Sequence, residues 1–378
     1  MTIQPWKCPH QTHPELFDQV DPSAPISKVT APGGVPVWLV TDYAEGKRTL
    51  NDPRLLKDPL SFSELPGGLG RKRCPEDFTL ISGRHVMNTD GEHHTRLRAV
   101  IAPLMSPKAL ERWRPEIEAA VRAQVDAIAD SERFDLVMDF AVPLAAAVLG
   151  QVLGVDSAAV VRALLAGKIL LDADHPESPA MKQASVEFAE LTEHFVRTGK
   201  PGGVVSGVLA DGSLTRREAS SLIGTVVAGA SSPLMTLLAT AVAVILVRPD
   251  LREAVAAGQV SEVVEEIVRL QPPALSSSWR FTAEPMEIGG VRLDRGEAVR
   301  VLFAAANQDP AAEGGRHLSF GHGRHFCVGA TLARHLTAEA LRVLVERCPE
   351  LELLTPVDEI RWHGGLGDRC PDRMEAGR

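Results

Sequence analysis

The sequence is poor in cysteine, carries no surplus of positive charge and opens without a long apolar run, and each shortage removes a class of protein. Its five cysteines are Cys8, Cys74, Cys327, Cys348 and Cys370. They are odd in number and scattered, which argues for a reducing compartment and against a disulfide framework. A net charge of −9 does not suggest a nucleic-acid partner. Residues 1–30 are polar and proline-containing, so neither a signal peptide nor a spanning helix is expected there. The expectation is a cytoplasmic protein with no membrane and no nucleic-acid partner. Internal repeats and low-complexity linkers are also missing. At 378 residues the chain fits one large domain or two ordinary ones, and its organisation favours a single domain over 1–378.

What is present looks like a soluble globular protein, 44% hydrophobic and 24% charged. Val35 to Val40 reads as a strand, and Tyr43 to Leu50 as a helix ended by Asn51-Asp52-Pro53. Residues 60–89 hold several Gly and Pro with little periodicity and read as a long, functional loop. From Thr95 to Ala129 the pattern is helical, interrupted near Pro103 and Pro115. Helices dominate from Pro143 to Arg248, with breaks at Asp172–Pro179 and Gly199–Gly203. Val260 to Leu270 is another helix, stopped by Pro272-Pro273. Residues 280–303 alternate and turn at Gly289-Gly290 and Asp294-Arg295-Gly296, as short strands do. A final helix covers about 329–347. The fold class is mainly α with a small β-rich subdomain. Cys8, His10 and His13 cluster near the N-terminus, where solvated surface is a better reading than a metal site.

The most informative stretch is Phe320-Gly321-His322-Gly323-Arg324-His325-Phe326-Cys327-Val328-Gly329. It sets one cysteine in a glycine-spaced aromatic loop directly before a helical run. The glycines allow a tight turn with positive φ and close approach to a flat ligand. The helix N-terminus beside the sulfur favours an anion there. This loop resembles the haem-binding loop of the cytochrome P-450 superfamily, F-G-x-G-x-H-x-C-x-G, at every fixed position. The resemblance runs from about Thr41 to Trp362. It implies the P-450 fold around haem b, with Cys327 as the iron ligand and Phe320, Gly321, His325 and Gly329 around the cofactor.

Three other segments carry the resemblance. Asp90-Gly91-Glu92-His93-His94-Thr95-Arg96-Leu97-Arg98 is similar to the family's D-P-P-x-H-T-R-L-R. It implies that His94, Arg98, Arg280 and His325 hold the haem propionates, for which arginine gives bidentate binding. Glu266 and Arg269 share a helix face at i,i+3 and can pair. By resemblance they are structural, the E-x-x-R brace behind the haem. The third segment, Ala228-Gly229-Ala230-Ser231-Ser232-Pro233, is similar to the family's A-G-x-[D/E]-T, which crosses above the haem. Ala228 and Gly229 keep the small side chains that leave room for dioxygen. Ser231 replaces the acid and Ser232 the threonine, and Pro233 frees the Gly229 carbonyl and bends the helix.

Splitting the O–O bond takes two protons, which the family's acid and alcohol normally relay. Ser232 can donate a hydrogen bond, but Ser231 cannot titrate as a carboxylic acid. Substrate hydroxyls and ordered water could complete the relay, peroxide could be the oxidant, or the haem could run other chemistry. The connection from Pro310 to Phe320 is also short, and Arg316 is the candidate to replace the arginine that joins the Glu–Arg pair in relatives.

The resemblance implies an oxidoreductase of the monooxygenase type. It would act on a medium-sized organic molecule, as an oxidative tailoring enzyme of secondary metabolism, with a ferredoxin-type electron donor. The pocket should draw on residues 60–89 and 165–200, the helix around Val227 to Ser232, and Leu275 to Trp279, where Ser276, Ser277 and Ser278 offer hydroxyls. The alternative is a P-450-like auxiliary partner of a glycosyltransferase without oxidative activity. A haem-based gas sensor finds no appended signalling segment.

Overall fold

The computed structural model describes residues 17–21, 23–31, 35–58, 84–170 and 179–378. Cys8, His10, His13, Cys74, residues 60–83 of the expected loop and residues 172–178 of the polar break lie outside them.

A five-stranded sheet forms one side of the molecule, in the order β1-β2-β8-β5-β3. β1 (Ile26–Ala31) and β2 (Val35–Val40) pair antiparallel, with Ile26 opposite Val40. Along β1, Val29 and Ala31 are buried while Lys28 and Thr30 are exposed, the alternation of a sheet with one covered face. β8 (Ala298–Val301) runs parallel to β2 with Trp38 opposite Val299. β5 (Arg280–Thr282) pairs antiparallel with β8, which sets Arg280 opposite Val299 near the middle of the sheet. β3 (Leu55–Leu56) pairs antiparallel with β5, Leu56 opposite Phe281. The next residue, Lys57, therefore arrives beside Arg280.

The helices pack against this sheet and one another. α1 (Tyr43–Asn51) starts where the Asp42 carboxylate accepts the Glu45 amide at 2.7 Å. α2 (Gly91–Leu104) carries Pro103 in its last turn. α3 (Arg114–Ala129) follows a 3-10 turn at Glu111–Trp113 and carries Pro115 in its first turn, so the interruption expected near that proline lies just before it. α4 (Val142–Leu153) ends at Gly154, left-handed at φ 74°, where Val155 N–H returns to the Gly150 carbonyl. α5 (Ser157–Leu170), α6 (Pro179–Thr198) and α7 (Val204–Ala210) follow.

α8 (Arg216–Val247) is the longest, about 48 Å at the usual rise. A reciprocal cap opens it: Thr215 Oγ1 accepts the Glu218 amide and Glu218 accepts the Thr215 amide. It stays helical through Pro233. α8 and the segment Leu136–Leu153 are apolar and long enough to cross a membrane, but 78% and 72% of their apolar 18-residue stretches is buried inside the protein, as in core helices. α9 (Pro249–Ala256), α10 (Val260–Leu270) and α11 (Ala330–Arg347) complete the helical part. The main core lies among the helices, and two smaller clusters sit on the faces of the sheet.

Candidate functional site

The cysteine loop folds as its glycines require. Gly321 and Gly323 take φ of 74° and 73°. The Gly321 amide donates to the Leu318 carbonyl, Phe326 N–H to Gly323 O, and Cys327 N–H to Phe320 O at 2.9 Å. A Cβ on Gly323 would lie 2.6 Å from Asn51 Oδ1, so the loop is seated on the end of α1. Gly329 departs from the expected positive φ: at −84° it is the right-handed entry to α11, and its place there brings it close to the sulfur. A Cβ on it would stand 3.8 Å from Cys327 Sγ. The thiol has a solvent-accessible face although it lies deep in the fold. Burial pushes the Cys327 thiol up, while the Gly329 and Ala330 amides and the Arg98 and Arg334 guanidiniums favour the thiolate. Cys348 and Cys370 are buried elsewhere.

Basic groups converge beside this loop. The rings of His94, on α2, and His325 stand 4.1 Å apart between centroids. His325 Nδ1 meets the Val86 carbonyl at 3.1 Å, and its Nε2 lies 3.9 Å from Asp90 Oδ1, too long for a hydrogen bond. The Nε2 atoms of His85, His94 and His325 are buried without a partner among the described residues. Burial holds these imidazoles neutral, His85 at about 3, His94 at about 4 and His325 at about 3. Arg98 stands one turn along α2 from His94, half-buried, with no carboxylate within ion-pair distance among the described residues. Arg280 is buried and donates to the Ser278 carbonyl at 3.3 Å.

The sequence reading missed Lys57. It is buried, its ammonium donates to Ser278 Oγ, and its charge reaches His85, His94 and His325. Asp90 joins the pieces. Its carboxylate leaves α2 without a side-chain cap and instead accepts the Lys57 and Asp58 amides at 2.7 and 2.8 Å. A buried lysine directly after a short strand was the available signal, but only the β3–β5 register places it here.

On α8 the small residues open the helix. Gly229 is exposed in the midst of a buried helix, and a Cβ there would meet nothing within 4 Å. Ala228 is half-buried. Ser232 lies on the same face at i+3, its Oγ buried and without a partner among the described residues. Ser231, expected to act beside it, faces the other way. Its hydroxyl donates to the Val227 carbonyl at 2.6 Å, and it packs against Gly167 of α5, where a Cβ would lie 3.2 Å from Ser231 Cβ. Two residues along a helix from Gly229 is nearly the opposite face.

Behind the loop, Arg269 forms a bidentate pair with Glu266, at 2.8 and 2.7 Å, and donates to the Asn307 carbonyl at 2.7 Å. Asn307 returns bonds to the Arg269 carbonyl and Ser319 Oγ, and its Oδ1 accepts the Leu318 amide. The i,i+3 pair thus braces the segment that leads into Phe320. Arg316 does not join it. It is exposed, with its Nε on the Ala311 carbonyl. A separate network takes that place: Glu265 accepts from Arg334 and meets His317 Nε2 at 3.0 Å. The serine run spends its hydroxyls on distant segments instead of on a turn of its own. Ser276 Oγ donates to the Leu366 carbonyl, Ser277 Oγ accepts the Val301 amide, and Ser278 Oγ accepts from Lys57.

These residues fit a haem. A cation-lined group of orphaned imidazoles suits two carboxylates, a sulfur at a helix N-terminus suits an iron, and the open face at Gly229 leaves room above. The fold agrees. The myxobacterial cytochrome P450 CYP267B1, solved with myristic acid, superposes with a TM-score of 0.85 at 28% identity, covering 100% of this chain and 99% of that one. Cytochrome P450 107B1 of Saccharopolyspora erythraea is 30% identical over 362 residues, 89% of this chain and 88% of that protein. The 6-deoxyerythronolide B hydroxylase of the same organism is 30% identical over 392 residues, 97% and 95% of the two chains. No family model matches the chain. The chain belongs to the cytochrome P450 family, the haem monooxygenases, and is an oxidoreductase of that class.

Proposed function

We propose that residues 1–378 form one haem-thiolate domain in which Cys327 ligates the iron of haem b, and that the protein is a cytoplasmic tailoring enzyme of secondary metabolism. The observation that carries this reading is the 4.1 Å approach of His94 and His325, with Arg98 one turn away and Arg280 and Lys57 reaching the same place from the sheet. His94, Arg98, Arg280 and His325 would hold the propionates. The arginines supply the charge; His325, whose Nδ1–H is spent on the Val86 carbonyl, would donate through Nε2 only once a propionate beside it draws it to the cationic form. Phe320, Gly321 and Gly329 shape the loop against the ring.

Bound there, the haem supplies oxygen activation, helped by electron density from the thiolate. The chain's own part is positional. The Cys327 amide is tied to Phe320 O, so the sulfur is fixed before the cofactor arrives. Ala228 and Gly229 keep the opposite face clear. Ser232 is left to hold a proton there, because the Ser231 hydroxyl is spent on Val227. A second proton then comes from a substrate hydroxyl or a water. The 6-deoxyerythronolide B hydroxylase supports a medium-sized, oxygen-bearing organic substrate. A ferredoxin-type protein is the proposed electron donor, with peroxide as the other oxidant to be tried.

The test is the ferrous carbon monoxide spectrum of the purified protein beside Cys327→Ala. A strongly red-shifted Soret band, absent from the variant, is expected. Failure to bind haem even after supplementation overturns the reading and favours the glycosyltransferase-partner alternative.

A further inference from the structure

The Glu265 network touches the cysteine loop from a side that the propionate and distal groups do not. Ser319 N–H donates to His317 Nδ1 at 3.3 Å, so the proton of this buried imidazole sits on Nε2 and is donated to Glu265 Oε2 at 3.0 Å. Arg334 gives the same carboxylate two bonds, through Nε to Oε1 and through Nη2 to Oε2 at 3.0 Å. The Arg334 guanidinium carbon lies 4.3 Å from the centroid of the Phe320 ring. Phe320 in turn accepts the Cys327 amide at its carbonyl. Gly315, left-handed at φ 77°, closes down on the carboxylate, and a Cβ there would stand 3.3 Å from Glu265 Oε2. Three separated segments, α10, the loop and α11, thus meet at one carboxylate. Arg334 lies in the first turns of α11, on the side that faces the loop, against the ring of the residue whose carbonyl holds the Cys327 amide.

We propose that Glu265 is a positioning residue for the haem thiolate: by pinning Arg334 between its carboxylate and the Phe320 ring, it fixes how much positive charge the Cys327 sulfur feels and so sets the reduction potential of the bound haem. A cation near the sulfur draws electron density from it and favours the reduced iron. The carboxylate offsets part of that charge. The two residues therefore act with opposite sign, which a merely structural brace would not do. The inference rests on Cys327 ligating the haem.

The experiment measures the ferric–ferrous potential of the holoprotein by spectroelectrochemistry, with thermal unfolding of each variant alongside. Arg334→Met is expected to lower the potential, Glu265→Gln to raise it, and Arg334→Lys to stay near the wild type. Shifts of one sign in Arg334→Met and Glu265→Gln, or none in either, overturn the proposal. If Glu265→Gln does not accumulate, Arg334→Met against Arg334→Lys decides alone, and equal potentials in those two overturn it. Failure of the ligation reading looks different, because the wild type itself then lacks the red-shifted carbon monoxide band.

Discussion

On the cysteine side of the site, Glu266, Arg269, Asn307 and Ser319 spend their polar atoms on one another and on the backbone leading into Phe320. On the opposite side, α8 turns Gly229 toward open space and leaves the Ser232 hydroxyl without a partner among the described residues. The difference follows from what each face must do. On the proposed reading the Cys327 sulfur has to sit in one place whatever the substrate, and the loop that carries it is over-determined. The face above it has to admit different molecules, so it is lined by small side chains and keeps few commitments. Specific wiring and specific vacancy are both written into short segments, but only the first is held by charge.

The comparison breaks most sharply at Arg269. It is nearly buried, while Glu266 keeps some solvent contact. Arg269→Ala leaves the Glu266 carboxylate and the Asn307 carbonyl without their donor, at about 3 kcal/mol, the lower end for a broken buried pair. Denaturant unfolding of the apoprotein should show it, and haem loading should fall with it. A loss under about 1 kcal/mol would mean that the brace is a surface pair in disguise.

Glu265 sharpens the same side through pH. Burial alone would raise its carboxyl, but the bonds from His317 and Arg334 overcome that and hold it at about 2, below the ordinary 4.5. Stability from this depressed group is complete above the unfolded carboxylate's range and is lost as pH falls from about 4.5 toward about 2. The amount is on the order of 2–3 kcal/mol, discounted for the partial exposure of both partners. The gap in unfolding free energy between wild type and Glu265→Gln should therefore shrink between about pH 5 and pH 3. A constant gap would place the stabilisation in packing and not in charge.

The open face gives the next effect, and its sign is reversed. Gly229→Ala adds a methyl group to empty space and removes a helix-interior glycine. Folding should gain about 0.5–1 kcal/mol. Affinity for a bulky iron ligand such as imidazole, read by spectral titration, should fall at the same time. If imidazole binds equally well, Gly229 does not border the space in which ligands approach the iron.

Much of this was legible in the chain. β2 and α10 have the bounds expected from alternation and from the 3.6-residue pattern, because Val35 to Val40 and Val260 to Leu270 lie between clear stop signals. The cysteine loop was legible because its glycines and aromatic residues are local. Lys57 was not, since only strand pairing brings it to Arg280. Nor was the place of Arg316, which stands exposed on the Ala311 carbonyl while Glu266 and Arg269 pair without it, because only the packing decides that. The interruption near Pro115 was legible too, since a 3-10 turn at Glu111–Trp113 precedes the helix that carries this proline in its first turn.

Ser232 carries the smallest effect on stability and the most pointed one on chemistry. Its hydroxyl is buried and bonds to none of the described residues, so its removal takes no hydrogen bond from the fold. In Ser232→Ala folding should therefore change by less than about 1 kcal/mol. On the proposed reading the hydroxyl holds a proton at Oγ for the chemistry that the haem would supply. Product formed per oxygen consumed should therefore fall in Ser232→Ala, while Ser231→Ala, whose hydroxyl serves its own helix, should keep the wild-type ratio. If both variants couple oxygen to product as the wild type does, the proton path runs through substrate and water alone. The open face of α8 would then contribute room and nothing else.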